Sequence, residues 1–330
     1  MRSSTHIFVS FVVYCGVFVT SAIALSNHTN AYQCDRWSNV LNELQANLFH
    51  EGQCRSAALR ASGTFGGGGA DGSIIQFAHT ELAYPANEGL EEMVYTLKHF
   101  ADGHEVSYGD MIQFAGAVAL SNCPGSPRLR FYAGRPEAIA PSPPNLLPLP
   151  TDPVEKILSR MADAGFNAGD TVALLAAHSI AVQNTIDPSI PDSPLDSTPR
   201  IFDTQFYLET LLRGTRYPGK GRGPAQSKSP IEHEFRLASD AAIARHTSTA
   251  CEWQSFIDNQ EGLRSAFRNA MVKLANQGHD NLVDCSFVIP VPPPWNLPVE
   301  YPSGKSRSDV EQSCSDVPFP TISLNSDVHD

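Results

Sequence analysis

Six cysteines spread from Cys34 to Cys314 constrain this chain more than any other feature, because the segment before them sends them to an oxidising compartment. Residues 7–24 read IFVSFVVYCGVFVTSAIA, preceded by Arg2 and closed by a small-residue pattern at Ala22 and Ala24. A basic start, an apolar centre and a small-residue cleavage site predict a secretory signal peptide over residues 1–24 rather than a membrane span. Cys15 leaves with that segment. Cys34, Cys54, Cys123, Cys251, Cys285 and Cys314 remain, and in a secreted, extracellular protein an even set of cysteines reads as three disulfides. Their pairing stays open, since six cysteines allow many connectivities. None shows the C-x-x-C spacing of a zinc site. The sequon Asn27-His28-Thr29 adds a glycan to the N-terminal arm.

The 330 residues suffice for a sizeable core, and the net charge of -12 has the wrong sign for gripping phosphate backbones or anionic lipid. Neither nucleic acid nor a membrane is expected as a partner. No segment after the signal is apolar for long enough to cross a bilayer. Apolar residues recur with the 3.6-residue period over 37–49, 89–100, 108–120, after Thr151-Asp152-Pro153, over 203–213 and over 249–276, the longest. Strand-like alternation is scarce, so the fold class is mainly α. Long Pro-rich connections lie at 141–153 and 191–203, and connections of that length inside a helical domain are usually functional or tied down. From Val288 onward the chain reads as an extended wrap that Cys314 would staple.

Three constellations carry chemistry. His178 sits in LLAAHSIA, read as part of an apolar helix, where a lone histidine is more often buried and satisfied than a ligand. The alanines around it nevertheless leave room for a flat, bulky group to approach the ring. Asp196, Thr198 and Asp203 in DSTPRIFD form either a polar turn with Asp203 as the next helix's N-cap or, with Ser179, an oxygen-rich calcium site. The loop GGGGADGS at 66–73 has no following Gly-Lys-Ser/Thr, so it is not a Walker phosphate loop. It is a flexible turn, or a place where carbonyls and Asp71 converge on a second calcium. No G-x-S-x-G or H-E-x-x-H motif supports a hydrolase.

Taken together, GGGGADGSII (66–75), SYGDMIQFAGAVALSNCPGSPRLRF (107–131), LLAAHSIA (174–181), SPLDSTPRIFDTQF (193–206), FRLASDAAIAR (235–245), TACEWQSF (249–256), LVDCSFVIPVPPP (282–294) and PFPTIS (318–323) resemble the secreted fungal haem peroxidases, which include lignin, manganese and versatile peroxidases. The similarity runs from Cys34 to Ser323. It implies a mainly α haem-peroxidase fold in which two helical halves, about 34–145 and 146–287, sandwich one haem b, with an extended tail over 288–330, all within one domain over 25–330. His178 is then the axial ligand of the haem iron. Asp240, which could also be a helix cap before AAIAR, accepts the ring's other N–H and raises its imidazolate character. Ser179, Asp196, Thr198, Ile201 through its carbonyl, and Asp203 are the proximal calcium ligands, and Gly69, Asp71 and Ser73 part of the distal set. The implied disulfides are Cys34 with Cys285, Cys54 with Cys123, and Cys251 with Cys314. The implied activity is hydrogen-peroxide-dependent oxidation of small phenolic or aromatic donors by a monomer.

The chain departs from the family's pattern on the distal side. Between the cysteine matching Cys54 and the glycine loop the family carries an Arg-x-x-Phe-His-Asp helix, and here only RSAALRASGTF stands there. Roughly one and a half dozen residues are missing, about 25 Å of chain if helical. The distal histidine, its arginine and one calcium aspartate go with them. Arg60 is a weak substitute, His50 has no argued route to the iron, and Asn87, matching the residue that orients the distal histidine, has nothing to orient. Without them haem binding could persist with little turnover, leaving a haem- or calcium-binding relative, or in the extreme a disulfide-stapled binding module. Manganese oxidation is disfavoured, because the position six past the proximal histidine is Asn184. The exposed tryptophan that some relatives use for bulky substrates falls at Ala173, and Asp35 replaces a further cysteine.

Overall fold

The computed structural model describes residues 34–49, 54, 69–219 and 223–322. The predicted signal peptide, Asn27, His50, Arg60 and the glycines before Gly69 lie outside the described residues.

The first helix, α1 (34–47), places Trp37, Val40 and Leu44 on one buried stripe at helical spacing. Its Trp37 ring meets Phe114 at 4.6 Å and Phe131 at 4.7 Å between centroids. Two short turns, α2 (Ser73–Gln76) and α3 (Ala78–Glu81), follow the glycine loop and lead through a 3-10 turn at Pro85–Asn87 into α4 (Glu91–His104). Helix α4 packs on α5 (Tyr108–Ser121), which is buried along nearly its whole length and is the central rod of this half. Ser107 caps α5 by accepting the Asp110 N–H. Asp110 turns inward to pair with the buried Arg135 at 2.7 Å, whose other amino group donates to the Ala275 carbonyl. That pair ties α5 to the backbone at Ala275.

The second half contains α6 (Val154–Asp163), α7 (Ala168–Leu174), α8 (Gln205–Leu211), α9 (Ala238–Ile243), α10 (Ala250–Ser255) and α11 (Gln260–Ala275). Asn167 and Asp170 form a reciprocal capping box at the start of α7, and α7 lies along α11. Strand is confined, among the described residues, to three two-residue antiparallel pairs: β1 (Tyr132–Ala133) with β6 (Val283–Asp284), β2 (Val182–Gln183) with β3 (Ser193–Pro194), and β4 (Gln226–Ser227) with β5 (Arg236–Leu237). Cys34 is bonded to Cys285, Cys54 to Cys123 and Cys251 to Cys314. Over its described residues, to 322, the tail is extended apart from turns at 303–304 and Arg307–Asp309, and the third disulfide holds it against α10. No helix among the described residues is long and apolar enough to cross a membrane.

Three local expectations differ in detail. The long periodic stretch 249–276 is two helices, because Asp258 adopts a left-handed φ of 56° and Asn259 starts α11 afresh by accepting the Gly262 N–H. The run around His178 is not α-helical: α7 stops at Leu174 and continues as a 3-10 turn over Leu175–Ile180. The N-cap of α8 is Thr204 rather than Asp203, although Asp203 Oδ1 does accept the Gln205 N–H.

Candidate functional site

The 3-10 turn carries His178, with a quarter of its side chain uncovered. Across from it, β5 runs straight into α9, whose third residue is Asp240. Its carboxylate Oδ2 lies 2.9 Å from His178 Nδ1. An ionised carboxylate only accepts, so Nδ1 carries the proton and Nε2 keeps its lone pair. The Phe206 ring of α8 stands edge-on to the imidazole, 5.6 Å between centroids and 83° between planes. Asp240 is almost wholly buried and Phe206 is itself wedged against Tyr207 and Trp253. The ring is therefore held on two sides, while Nε2 makes no hydrogen bond to another described residue. That is what a metal-bound imidazole needs of its protein, and the chain's residues fit an axial haem ligand.

Directly after the histidine, the Ser179 hydroxyl points to the Ile201 carbonyl at 3.2 Å. Thr198 Oγ1 lies 3.1 Å from Asp203 Oδ1, and Asp196 Oδ1 accepts the Thr198 N–H at 2.9 Å. The turn thus gathers two carboxylates, two hydroxyls and a carbonyl in one place. Asp196 is fully buried, and its Oδ2 has no hydrogen-bond partner. Burial raises its carboxyl well above the ordinary range, with repulsion from Glu209 and Asp203 adding to it, and burial pushes Asp203 up to about 7. Buried carboxylates that repel one another with an orphaned oxygen between them are the signature of a hard-cation site, so these residues fit calcium. Among the described residues no three His, Cys, Asp or Glu side chains cluster for a metal. The remaining donors here are hydroxyl and backbone oxygens.

The distal candidates share one cleft, lined by Gly69, Asp71, Ser73, Glu81, Asn87 and Leu147. Asp71 is buried and its Oδ1 accepts the Ser73 N–H at 3.1 Å. Gly69 has φ +82°, and a Cβ there would fall 1.9 Å from the Gln277 carbonyl oxygen, so only glycine lets the loop pass. Asn87 donates its side-chain amide to the Glu81 carbonyl at 2.9 Å, inside its own segment. Glu81 is buried, which raises its carboxyl, and its Oε1 accepts the Ser142 N–H. Ala173 is buried, and Asn184 accepts the Asp192 N–H.

Sequence reasoning overlooked a group beside this turn: Glu209 of α8, Glu234, and Arg236 of β5, all buried. Glutamate inside the apolar run FYLETLL and a charged pair flanking Phe235 were the available signals.

A mainly helical body that pins an imidazole between a buried carboxylate and an aromatic edge, next to an oxygen-rich turn, defines a protein of the haem-peroxidase kind. Comparison with known sequences agrees. The Peroxidase family profile matches residues 26–259, and that of the fungal peroxidase extension region matches residues 262–329. The chain is 47% identical to ligninase H2 of Phanerodontia chrysosporium over 88% of its length and 83% of that protein's. It is also 47% identical to a peroxidase of Arthromyces ramosus over 90% of its length and 87% of the relative's. Against manganese peroxidase 3 of Phlebia radiata it is 42% identical over 96% of its length and 94% of the relative's. That last match spans 341 positions against the 330 residues of this chain, so the relative carries residues that this one lacks. The chain belongs to the Peroxidase family, in its fungal branch with the extension region.

Proposed function

We propose that this oxidoreductase is secreted and binds one haem b at His178 and two calcium ions. With hydrogen peroxide it oxidises small phenolic or aromatic donors, as a single domain and a monomer. The observation that carries the reading is the His178–Asp240 pair at 2.9 Å, set in a fold of the peroxidase family.

When bound, the haem supplies the two-electron reduction of peroxide and the one-electron steps that follow. His178 offers Nε2 to the iron. Asp240 draws on the Nδ1 proton, making the ring a stronger donor, and Phe206 fixes its plane. Ser179, Asp196, Thr198, Ile201 and Asp203 hold the proximal calcium one residue from the axial ligand, so ion and imidazole are positioned by the same turn. Gly69, Asp71 and Ser73 contribute to the distal calcium, with one carboxylate fewer than the family pattern. The relatives' names speak of ligninase, manganese and versatile peroxidase activities. For this chain the generic donor class fits best, since the manganese position is Asn184 and the tryptophan position is a buried alanine.

The sequence contains no distal Arg-x-x-Phe-His-Asp helix, and Asn87 is engaged with Glu81 rather than with an imidazole. General acid–base help is worth about a hundredfold to ten-thousandfold. Turnover by this chain is accordingly slow beside a variant with the segment restored. Reconstitution with haem tests the reading. A Soret band that disappears in H178A, and phenol oxidation that rises at least a hundredfold on restoring the segment, are expected. A Soret band unchanged in H178A refutes it.

A further inference from the structure

Phenols are the donor class of the proposed reaction, and the chain carries phenols of its own. Tyr84 and Tyr207 donate their hydroxyls to the carbonyls of Ser142 and Val172, which accept a hydrogen bond but cannot keep a proton. Tyr108, the first residue of α5, differs: its O–H donates to Asp102 Oδ1 on α4 at 2.8 Å. Lys98, one turn earlier on α4, closes a triangle. Its Nζ donates to Asp102 Oδ2 at 2.6 Å and to the Tyr108 hydroxyl oxygen at 2.8 Å. Among the described residues no other tyrosine donates to a carboxylate.

Loss of an electron turns a phenol into a strong acid, so its oxidation is easy where a positioned base takes the proton and hard where none stands. Asp102 is such a base. The hydrogen bonds from Lys98 and Tyr108 hold its carboxyl below the usual range, so it is ionised at neutral pH.

We propose that Tyr108 is an internal electron donor of this peroxidase, giving up one electron while its phenolic proton passes to Asp102 and Lys98 holds the oxygen left behind.

The step balances. The phenolic O–H bond breaks, an O–H bond forms at Asp102 Oδ1, and one electron leaves the ring. Asp102, half exposed, then releases the proton to solvent. Hydrogen peroxide is the oxidant, and its reduction to two waters takes two electrons and two protons, one electron from Tyr108 and one from an external phenol.

Position suits the role at both ends of the residue. On the inner side, Gly109 lines the distal cleft, and a Cβ at Gly72 would fall 2.3 Å from the Gly109 nitrogen and 2.8 Å from Tyr108 Cβ. Glycine at 72 thus lets the cleft loop lie in direct contact with the start of α5. On the outer side, the Lys98 and Asp102 side chains are 39% and 52% exposed, so the triangle opens to solvent and the oxidised ring is within reach of a trapping reagent. The supply of the oxidising equivalent rests on the haem reading above, whereas the ease of oxidising Tyr108 does not.

The test is radical trapping on the haem-loaded protein, without an added donor, followed by peptide mass spectrometry. Two arms are run: hydrogen peroxide, and a light-driven one-electron oxidant without peroxide. In both, a nitroso spin-trap adduct is expected on Tyr108, and less on Tyr95, which is 55% exposed but donates to no carboxylate among the described residues. Y108F removes the adduct. D102N, which leaves the phenol without a base, should lower its yield about tenfold or more, and D102E, which restores a carboxylate, should recover it. Labelling that falls mainly on Tyr95, or that is equal in D102N and wild type, overturns the role of the triangle. Labelling of Tyr108 by the light-driven oxidant but not by peroxide overturns its place as a donor to the peroxidase reaction, and is the result expected if the haem reading itself is wrong.

Discussion

Replacing Asp240 by alanine removes the acceptor of the His178 Nδ1–H without touching the nitrogen offered to iron. The carboxylate is almost wholly buried and lies 2.9 Å from Nδ1, and no other described side chain takes that proton. Leaving such a donor unpaired costs about 1–3 kcal/mol, which corresponds to roughly 5- to 150-fold in an equilibrium constant. Loss of a carboxylate behind a metal-bound histidine typically weakens the metal by about 10- to 100-fold, in the same range. D240A is therefore expected to raise the haem dissociation constant of the reconstituted protein by about 10- to 100-fold, read by quenching of tryptophan fluorescence. D240N keeps a neutral acceptor and should lose about tenfold at most. Both should lower the iron–histidine vibrational frequency, D240A more. Haem affinity in D240A within about twofold of wild type, roughly 0.4 kcal/mol, refutes the argument that the carboxylate acts through the ring.

Replacing Cys251 and Cys314 together opens a loop with a sequence separation of 63 residues, which in the chain-entropy model destabilises by about 4 kcal/mol, measured by denaturant unfolding. R135A strands the buried Asp110 carboxylate and should cost about 3–5 kcal/mol in the same assay. G69A forces a Cβ into the Gln277 carbonyl at a left-handed φ and should cost well over the ~1 kcal/mol of an ordinary helix glycine change. Its effect should appear as loss of calcium from the distal loop at a lower chelator concentration than wild type. Chelation of the protein as a whole should lower its melting temperature, more for wild type than for D196N, in which one repelling charge is already gone.

How much of this was written in the sequence depends on the range of the interaction. Helix α5 was legible end to end because a Ser107 cap and a largely apolar stretch at helical spacing are local signals that the core does not contradict. The break inside 249–276 was not, since Phe256, Ile257 and Leu263 keep apolar residues on both sides of it, and the interruption lies in the backbone of Asp258, with a φ of 56°, and Asn259, with φ -128° and ψ 65°. The 3-10 winding at His178 follows from the chain turning out toward β2, a tertiary demand with no mark in LLAAHSIA. Family resemblance supplied His178 with Asp240, which stand 62 residues apart and which periodicity could not have joined. Glu209 and Glu234 escaped although each stands among apolar neighbours in the sequence, because only the tertiary fold makes their burial visible.

The strap formed by residues 291–322 has a practical consequence for how the protein meets a protease. Val291 and Leu297 are open to attack, but beyond them Leu212 bridges to Val310, the Gln254 amide grips the carbonyls of Val317 and Pro318, and Cys314 is welded to Cys251. A protease that cuts in the open stretch separates nothing: Cys251 and Cys314 keep both fragments covalently joined, so the cut stays silent in a denaturing gel run without a reductant.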